Sequence, residues 1–461
     1  MSYSSQSWLL ATMVAAITIH SSLPAKAIGN SLKTAVYLSP PFILGPGSVV
    51  NKFYQDIDFP RGHIALKSFN AEVVDEAGNP IPLHETYLHH WVVVKYYALK
   101  ESKLPAKTIG WENSLPKAIP ARNAGICEGT LSQYYGLGSE TRRTATWVPD
   151  PYGIEVGNPE DAPYGYEEKW MLNVHAIDTR GAVDHLGCTE CKCDLYNVTV
   201  DEFGQPLRKD YTGGFLCCYD QAQCRVKEGF NDVHRKLYLR YTVKWLDWDD
   251  HIVPVKIYIL DVTDSGQMPK GTSGGPLHSS CKVEYEVEYC GLEGTTGDSC
   301  IDNKRTKLVM PHGGDIIYGV AHQHTGGLGS ALYGQDGRML CSSMPTYGEG
   351  EEAGNEAGYV VGMSTCYPGP GIAKIADGEI VTLESNYSGA QMHTGVMGVF
   401  YILVAENQPS KFQSIVSAIE GGLMQSNYSW VLILIVMTVA FAIVAGYWHK
   451  TEREGYQSLA M

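Results

Sequence analysis

The stretch from Asp315 to Arg338 constrains the fold more than any other part of the chain. Its first half, D-I-I-Y-G-V-A-H, has the pattern of a strand, and Thr325-Gly326-Gly327 predicts a turn. Ser330 to Tyr333 then predicts a returning strand, which ends at the Asp336-Gly337 turn. Together these signals predict a β-hairpin with a histidine pair at its rim.

Composition extends this prediction to the whole chain. Short runs rich in Val, Ile and Tyr lie between Gly, Pro and Asp, and the chain has 49 Gly and 29 Tyr. This pattern predicts an all-β fold, and 461 residues are enough for two or three domains. The net charge of −15 argues against nucleic-acid binding, which needs a basic surface.

Both ends of the chain carry export and membrane signals. Residues 1–27 resemble a signal peptide, with an apolar run from Trp8 to Ile19 and a small-residue cleavage pattern ending at Ala27. Trp430–Trp448 is an uncharged apolar run of 19 residues, which predicts a transmembrane helix. The polar residues 449–461 follow it, unlike the apolar end of a GPI signal. We therefore predict a single-pass plasma-membrane or secretory-pathway protein whose bulk is extracellular or lumenal.

Twelve cysteines lie between Cys127 and Cys366, which fits up to six disulfides in an exported protein. A zinc cluster is the alternative for the dense group that runs from Cys188 to Cys224, and we favour disulfides because the chain is exported. The pairing cannot be deduced from spacing. Three N-glycosylation sequons support export, and they begin at Asn197, Asn386 and Asn427.

Composition shifts divide the mature chain into segments. We predict a first β-sandwich domain at 28–262, a linker rich in Gly, Ser and Pro at 263–280, and a second β-sandwich domain at 281–408. Residues 409–429 have helical spacing and predict a stalk before the membrane span. The clearest strands are predicted at Gly62–Ser68, His90–Tyr97, Lys169–Ile177, Lys236–Lys244, Val253–Leu260, Val283–Tyr289, Asp315–Ala321, Glu379–Ser385 and Val396–Val404.

Several histidines have positions that suit metal ligands. His322 and His324 project from the same face of a strand, roughly 7 Å apart, so two imidazoles can converge on one ion. His89 and His90 are adjacent, so both can reach one ion only at a strand end or a bulge. His175 is a lone histidine on an apolar strand. Taken singly, each of these is more often a structural residue.

A methionine completes the pattern. Met397 begins an apolar strand, where methionine usually packs in a core, and His393 nearby is a competing ligand. The order of H-H, a strand histidine, H-x-H and a strand methionine resembles the copper type II, ascorbate-dependent monooxygenases. Dopamine β-monooxygenase and peptidylglycine α-hydroxylating monooxygenase belong to that family. The similar segments are L-H-H-W-V-V-V-K, M-L-N-V-H-A, A-H-Q-H-T-G and M-G-V-F-Y.

The resemblance implies two jelly-roll-like domains, each with one copper ion. By this resemblance the first-domain histidines, His89, His90 and His175, hold an electron-transfer copper. His322, His324 and Met397 would hold the copper that binds O₂, with Tyr401 nearby and ascorbate as the reductant. A thioether beside two imidazoles favours Cu(I), which is the state that meets O₂. The implied activity is hydroxylation of a C–H bond in a small molecule.

Two departures limit the choice of substrate. Val320 replaces the arginine that grips a peptide carboxylate in the amidating branch, and Val399 replaces a polar residue. A C-terminal glycine peptide is therefore not an expected substrate, and the substrate stays unknown. A cupin site would need a glutamate shortly after the H-x-H, where Gly327 to Gly329 stand instead.

The whole layout of the chain is also similar to the plant stress up-regulated nodulin (stress up-regulated Nod) family. This resemblance implies a stress-related exported β protein and no particular activity. The alternative function is thus a non-catalytic cell-surface protein that keeps the fold and binds a partner or a glycan.

Overall fold

The structure is a computed structural model that describes residues 31–100, 118–121, 127, 134–265, 280–291 and 300–407. The predicted signal peptide, most of the linker, the stalk and the span Trp430–Trp448 lie outside these residues. Across the described ranges, helices are short and none combines the length and apolar character that a membrane crossing requires.

Strands dominate the described residues, and this confirms the prediction of a β-rich fold. The elements before residue 262 are β1 (Lys33–Leu38), β2 (Phe42–Leu44), β3 (Val49–Tyr54), β4 (Ile64–Val74), β5 (Thr86–Leu99), β6 (Ala118–Pro120), β7 (Tyr134–Leu137), the 3₁₀ helix η1 (Ser139–Arg143), β8 (Tyr152–Val156), β9 (Tyr166–Asp178), α1 (His185–Thr189), α2 (Cys193–Tyr196), β10 (Arg235–Asp247) and β11 (Val253–Asp261).

The elements after residue 280 are all strands within the described part of the chain. They are β12 (Glu284–Val287), β13 (Ile301–Val309), β14 (Gly314–His322), β15 (Gly327–Tyr333), β16 (Met339–Ser343), β17 (Pro345–Tyr347), β18 (Val360–Met363), β19 (Lys374–Ile375), β20 (Ile380–Ser388), β21 (His393–Met397) and β22 (Val399–Glu406). Each strand that the sequence predicts overlaps one or two of these elements.

The described strands form three large sheets and two small ones. A nine-stranded sheet has the order β1-β10-β4-β8-β11-β22-β14-β19, with β2 against β10. A five-stranded sheet has the order β3-β9-β5-β6, with β7 against β5, and a four-stranded sheet has the order β13-β20-β15-β16. The pairs β12-β21 and β17-β18 complete the set. The nine-stranded sheet therefore contains strands from both halves of the chain, which meet where β11 pairs with β22.

Aromatic packing joins the nine-stranded sheet to the five-stranded sheet. Along β10 buried residues such as Leu239 and Tyr241 alternate with more exposed ones, so one face of the sheet points into the core. Phe69 on β4 lies in that core, with its ring 4.9 Å from Trp91 on β5 and 5.9 Å from Tyr241. Burying each of these large side chains stabilises the packing of the two sheets by about 1.5–3 kcal/mol.

The predicted hairpin of β14 and β15 is wrong, although both strands exist. β14 pairs with β19 and β22, whereas β15 pairs with β16 and β20 in another sheet. The buried side chain of Gln323 explains the corner, because its amide bonds the backbone of Gly329 in both directions, at 2.9 and 3.2 Å, and so replaces ladder bonds where the chain changes sheet. β15 instead forms its hairpin with β16 across the predicted turn at Asp336-Gly337.

All twelve cysteines are disulfide-bonded, and this confirms the disulfide prediction over the zinc cluster. Three bridges staple the segment around α1 and α2, which has few strands of its own. The six pairs are Cys127–Cys281, Cys188–Cys224, Cys191–Cys218, Cys193–Cys217, Cys290–Cys300 and Cys341–Cys366.

Candidate metal centre

A bulge in β5 brings the first-half histidines together. Leu88 faces Ala176 on β9 and His90 faces His175, so the register shifts between them and His89 is the extra residue. The ring of His175 lies 4.5 Å from that of His89 and 5.1 Å from that of His90. Both adjacent histidines thus reach the same neighbour, which an unbroken strand would prevent.

The second-half histidines lie where β14 ends. The rings of His322 and His324 are 5.1 Å apart. The hydroxyl of Tyr387 accepts the backbone N–H of His324 at 2.8 Å and donates to the carbonyl of Met397 at 2.7 Å, so Met397 lies beside His324 along the backbone. His324 is buried, at 2% exposure, so its expected position at the rim is wrong, and Met397 is buried at 4% exposure. The reason is the sheet corner, which folds the end of β14 inward.

The two predicted groups meet in space. The ring of His89 lies 4.7 Å from that of His324, which joins the first group to the second. The ring contacts form a continuous series in which each histidine is next to the one before. We call these five residues the histidine cluster, and their spatial order is His90, His175, His89, His324 and His322.

Hydrogen bonds assign the proton on three of these rings. His175 donates from Nε2 to the Cys218 carbonyl at 2.9 Å, because a carbonyl can only accept. His322 donates from Nδ1 to Oε1 of Glu140 at 2.7 Å. His90 donates from Nε2 to Oδ1 of Asn173 at 2.6 Å, since the amide nitrogen of Asn173 is used elsewhere. The other ring nitrogen of each imidazole therefore carries a free lone pair.

Several of the remaining ring nitrogens are buried without a hydrogen bond. They include Nδ1 of His89, Nδ1 of His175 and Nε2 of His322, and both nitrogens of His324 also lack a bond of regular geometry. The backbone of Gly395 lies near His324 and favours its protonated form slightly, but burial outweighs this contribution. A buried unsatisfied nitrogen costs about 1–3 kcal/mol, and several in one place form a set of donor atoms that could bind an ion.

Burial keeps these imidazoles neutral. It lowers the pKa of His89, His175 and His324 well below the usual value, and the neighbouring histidines lower each further. Burial also lowers the pKa of His90 to about 4, against the opposing effect of its bond to Asn173. A metal ion binds the neutral imidazole, so these rings are ready to act as ligands at neutral pH.

The ring spacing fits shared coordination. Two imidazoles on one tetrahedral ion, at metal–nitrogen distances of about 2.0 Å, have ring centres about 5 Å apart. The neighbouring rings of the cluster lie 4.5 to 5.1 Å apart. Nitrogens of His89 and His175 also lie within 4.8 Å of each other and of the Cys218 sulfur. That sulfur is bonded to Cys191, so it is no thiolate donor in this state.

Two other residues considered in the sequence analysis, Tyr401 and His393, lie outside the histidine cluster. Tyr401 faces Val320 across β22 and β14, and its ring packs 5.8 Å from Tyr135 and 6.3 Å from Tyr318. His393, the competing ligand, donates from Nδ1 to Glu190 at 2.5 Å. Tyr401 therefore belongs to an aromatic group beside β14, and His393 is held by its buried hydrogen bond to Glu190.

Sequence reasoning missed the groups that orient the histidines. Asn173 lies two residues before His175, on the same strand face, and that spacing could have identified it. Glu140 lies on η1, in a segment without periodicity, so no local signal points to it. Phe215 packs its ring 5.5 Å from His89 and 5.6 Å from His90, and it too follows no motif.

The fold and the cluster define a class, namely a β-rich, disulfide-stapled protein with a buried group of neutral imidazoles. A family described as stress up-regulated Nod 19 matches residues 30–407, and the chain belongs to this family. No curated protein matches the chain.

Solved structures similar to this chain include particles of infectious bursal disease virus. The structure of the Gx strain is 10% identical, with 82% of this chain and 74% of that chain covered and a TM-score of 0.17. The T13 viral particle is 9% identical, with 86% of each chain covered and a TM-score of 0.11. Scores this low carry no argument about the fold or the function.

Proposed function

We propose that this protein binds copper through the histidine cluster on the exported side of the cell. The observation that carries the proposal is the arrangement of the ring nitrogens. His175 and His322 each donate one N–H to a fixed acceptor and leave the other ring nitrogen buried without a partner, and His90 donates its Nε2–H to Asn173. Metal-binding histidines in proteins are held in this way by a carboxylate, a carbonyl or a water.

Copper is the ion that best fits these donors. Imidazole suits zinc, iron, nickel and copper, and copper(II) forms the most stable complexes among the divalent ions. The backbone carbonyl of Met397 is linked to the His324 backbone through the Tyr387 hydroxyl, and as a ligand Met397 would add a soft thioether, which favours Cu(I). The carboxylate of Glu140 makes His322 a stronger donor, because it draws the Nδ1 proton away from the ring.

The activity that we propose for such a centre is an ascorbate-dependent monooxygenation of a small molecule, as the motif resemblance implies. Bound copper would supply one-electron chemistry and a place for O₂. The chain itself would orient the ligands through Asn173, Glu140 and the Cys218 carbonyl, and Phe215 would exclude water from the first group. Val320 and Val399 are buried and apolar, so they offer no grip for a carboxylate substrate.

The proposal includes a location and a finer architecture. We place two jelly-roll-like sandwiches at 28–262 and 281–408, outside the cell and anchored by residues 430–448. The five-stranded sheet draws all its strands from before residue 262 and the four-stranded sheet from after 281, which supports this division. Six disulfides and an exposed Asn197 in a glycosylation sequon support export.

A non-catalytic protein is the second candidate, and one observation favours it. His89, His175 and His324 are at most 2% exposed, so the middle of the cluster offers little room for a substrate. In that case the metal would stabilise a surface protein that binds a partner or a glycan.

Copper content tests the proposal. We expect the purified full-length protein to retain copper after loading and dialysis. His175→Ala should retain less copper, because it removes the imidazole that lies next to both His89 and His90. His251→Ala is the control, since the His251 side chain is 98% exposed. A wild type that retains no copper, or a His175→Ala variant that folds and retains as much, contradicts the proposal. Ascorbate-dependent O₂ uptake by the loaded protein then separates the enzyme from the non-catalytic candidate.

A further inference from the structure

The contact between His89 and His324 is where the two predicted ligand groups meet. His89 lies 4.5 Å from His175 in one group and 4.7 Å from His324 in the other, so it is equally close to both. If the two sites were independent, no ligand of one would contact a ligand of the other. The ring of His89 contacts a ligand of each group, so the two groups form one continuous site.

Exposure changes along the cluster in a way that suits two ions. The three central rings, His175, His89 and His324, are buried, at most 2% exposed. The end residues His90 and His322 are partly exposed, and the His322 side chain is 15% exposed. Ions can therefore approach from both ends, while the middle contains protein and no bulk water.

The supply of free nitrogens also exceeds the need of one ion. Buried nitrogens without a regular hydrogen bond occur in both groups, on His175 and His89 in the first and on His322 in the second, where His324 has only its interaction with the Gly395 backbone. One ion at the His90 end would leave the nitrogens at the His322 end unsatisfied. Their desolvation cost of about 1–3 kcal/mol each would remain, so the arrangement favours a second ion.

We propose that the histidine cluster is a single dinuclear copper centre, in which His89 would bind both ions as an imidazolate, with its ring proton released to the buffer when the second ion binds. This inference rests on the proposed copper binding and departs from the two separate sites that the motif resemblance implies. Glu140, fully buried beside His322, offsets part of the repulsion between two cations in a dry site.

Electron paramagnetic resonance of the Cu(II)-loaded, full-length protein tests the coupling. We expect two copper ions per chain and an integrated signal clearly below two spins, because an imidazolate shared by two Cu(II) ions couples their spins antiferromagnetically. His322→Ala removes the outer ligand of one ion, so we expect it to retain one ion with a full one-spin signal. His251→Ala keeps the wild-type signal.

Affinity measurements with a competing chelator test the shared residue. We expect His89→Ala to weaken both binding steps, each by roughly 10–100-fold or more. His90→Ala and His322→Ala should each weaken one step only. Denaturation curves of the metal-free variants show whether each one folds, and His89→Gln replaces His89→Ala if the latter does not fold.

The outcomes separate this inference from the proposed function. Two ions with two full spins, a single ion per chain, or a folded His89 variant that loses only one step each overturns the dinuclear centre and leaves copper binding in place. A wild type that binds no copper overturns both. Two ions with a reduced signal, together with two weakened steps in the His89 variant, support the dinuclear centre.

Discussion

The two halves of the histidine cluster are built in different ways. The first group lies on paired strands, where the β5 bulge and the neighbouring β9 place His89, His90 and His175 next to one another. The second group lies at the end of β14, where the chain leaves one sheet for another. Neutral acceptors, Asn173 and the Cys218 carbonyl, hold the first group, whereas a carboxylate holds the second.

This difference shows which parts of the fold each group depends on. The first group needs one strand pair and the disulfide-stapled segment that carries Cys218. The second group needs contact between the two halves of the chain, because Glu140 precedes His322 by 182 residues. We therefore expect local changes to break the first group and changes in long-range packing to break the second.

The largest predicted effect comes from two disulfides with similar loop lengths. Cys341–Cys366 spans 25 residues in the second half, and opening it by serine substitutions should cost roughly 3–4 kcal/mol of unfolding free energy. Cys191–Cys218 spans 27 residues, but it lies between two other bridges that already close nearly the same loop. Opening it should cost markedly less stability.

Metal affinity should follow the opposite order. The Cys218 carbonyl orients His175, so opening Cys191–Cys218 should weaken copper binding even though the fold is little affected. Opening Cys341–Cys366 should leave copper affinity near the wild-type value once the protein is folded. Urea denaturation measures the stability of both double-serine variants, and chelator competition measures their copper affinity. If the same variant loses more of both stability and copper affinity, the prediction is wrong.

A pH titration gives the next largest effect. The pKa of His90 is about 4 in the folded protein, against about 6.5 when unfolded. Between these values the unfolded chain binds a proton that the folded chain excludes, so stability falls as pH drops from 6.5 to 4. For His90 alone the loss is on the order of 3 kcal/mol.

The His90→Gln variant isolates this contribution. We expect the free energy of unfolding of the metal-free variant to fall less than that of the wild type between pH 7 and pH 4. Glu284 acts in the other direction, because burial raises its pKa to about 8, but it is present in both proteins and cancels in the comparison. Parallel curves for the two proteins would show that His90 is not held neutral by burial.

Much of the first group could be predicted from the sequence, because its signals are local. Apolar runs predict β5 and β9, and the adjacent pair His89-His90 requires a bulge or a strand end if both are to share a neighbour. The structure has that bulge. What could not be predicted is which backbone carbonyl meets His175, because the pairing of Cys218 with Cys191 is not determined by spacing.

The second group shows where sequence reasoning fails. The pattern after His322 resembles a hairpin, yet Gln323 completes the hydrogen bonds of a corner and sends β15 into another sheet. Sheet choice depends on long-range packing that a single sequence does not display. The same packing brings Glu140 to His322 and His89 to His324, so neither contact has a local signal.

The smallest predicted effect tests the carboxylate that distinguishes the second group. The Glu140→Gln substitution keeps the shape of the side chain, but the oxygen that accepts the Nδ1 proton of His322 no longer belongs to a carboxylate. We expect the affinity of the copper step at the His322 end to fall roughly 10–100-fold, as for other groups that orient metal ligands, while the step at the His90 end keeps its wild-type value. Chelator competition resolves the two steps.

Glu356 provides the matched control for this substitution. Like Glu140 it is a fully buried carboxylate that accepts backbone N–H groups, here from Leu83 at 2.9 Å and Gly354 at 3.0 Å, but its side-chain partner is Arg142 instead of a histidine. Glu356→Gln should therefore lower stability and leave both copper steps unchanged. If the two variants weaken copper binding equally, the effect of Glu140 is general destabilisation, and the second group is held by packing alone.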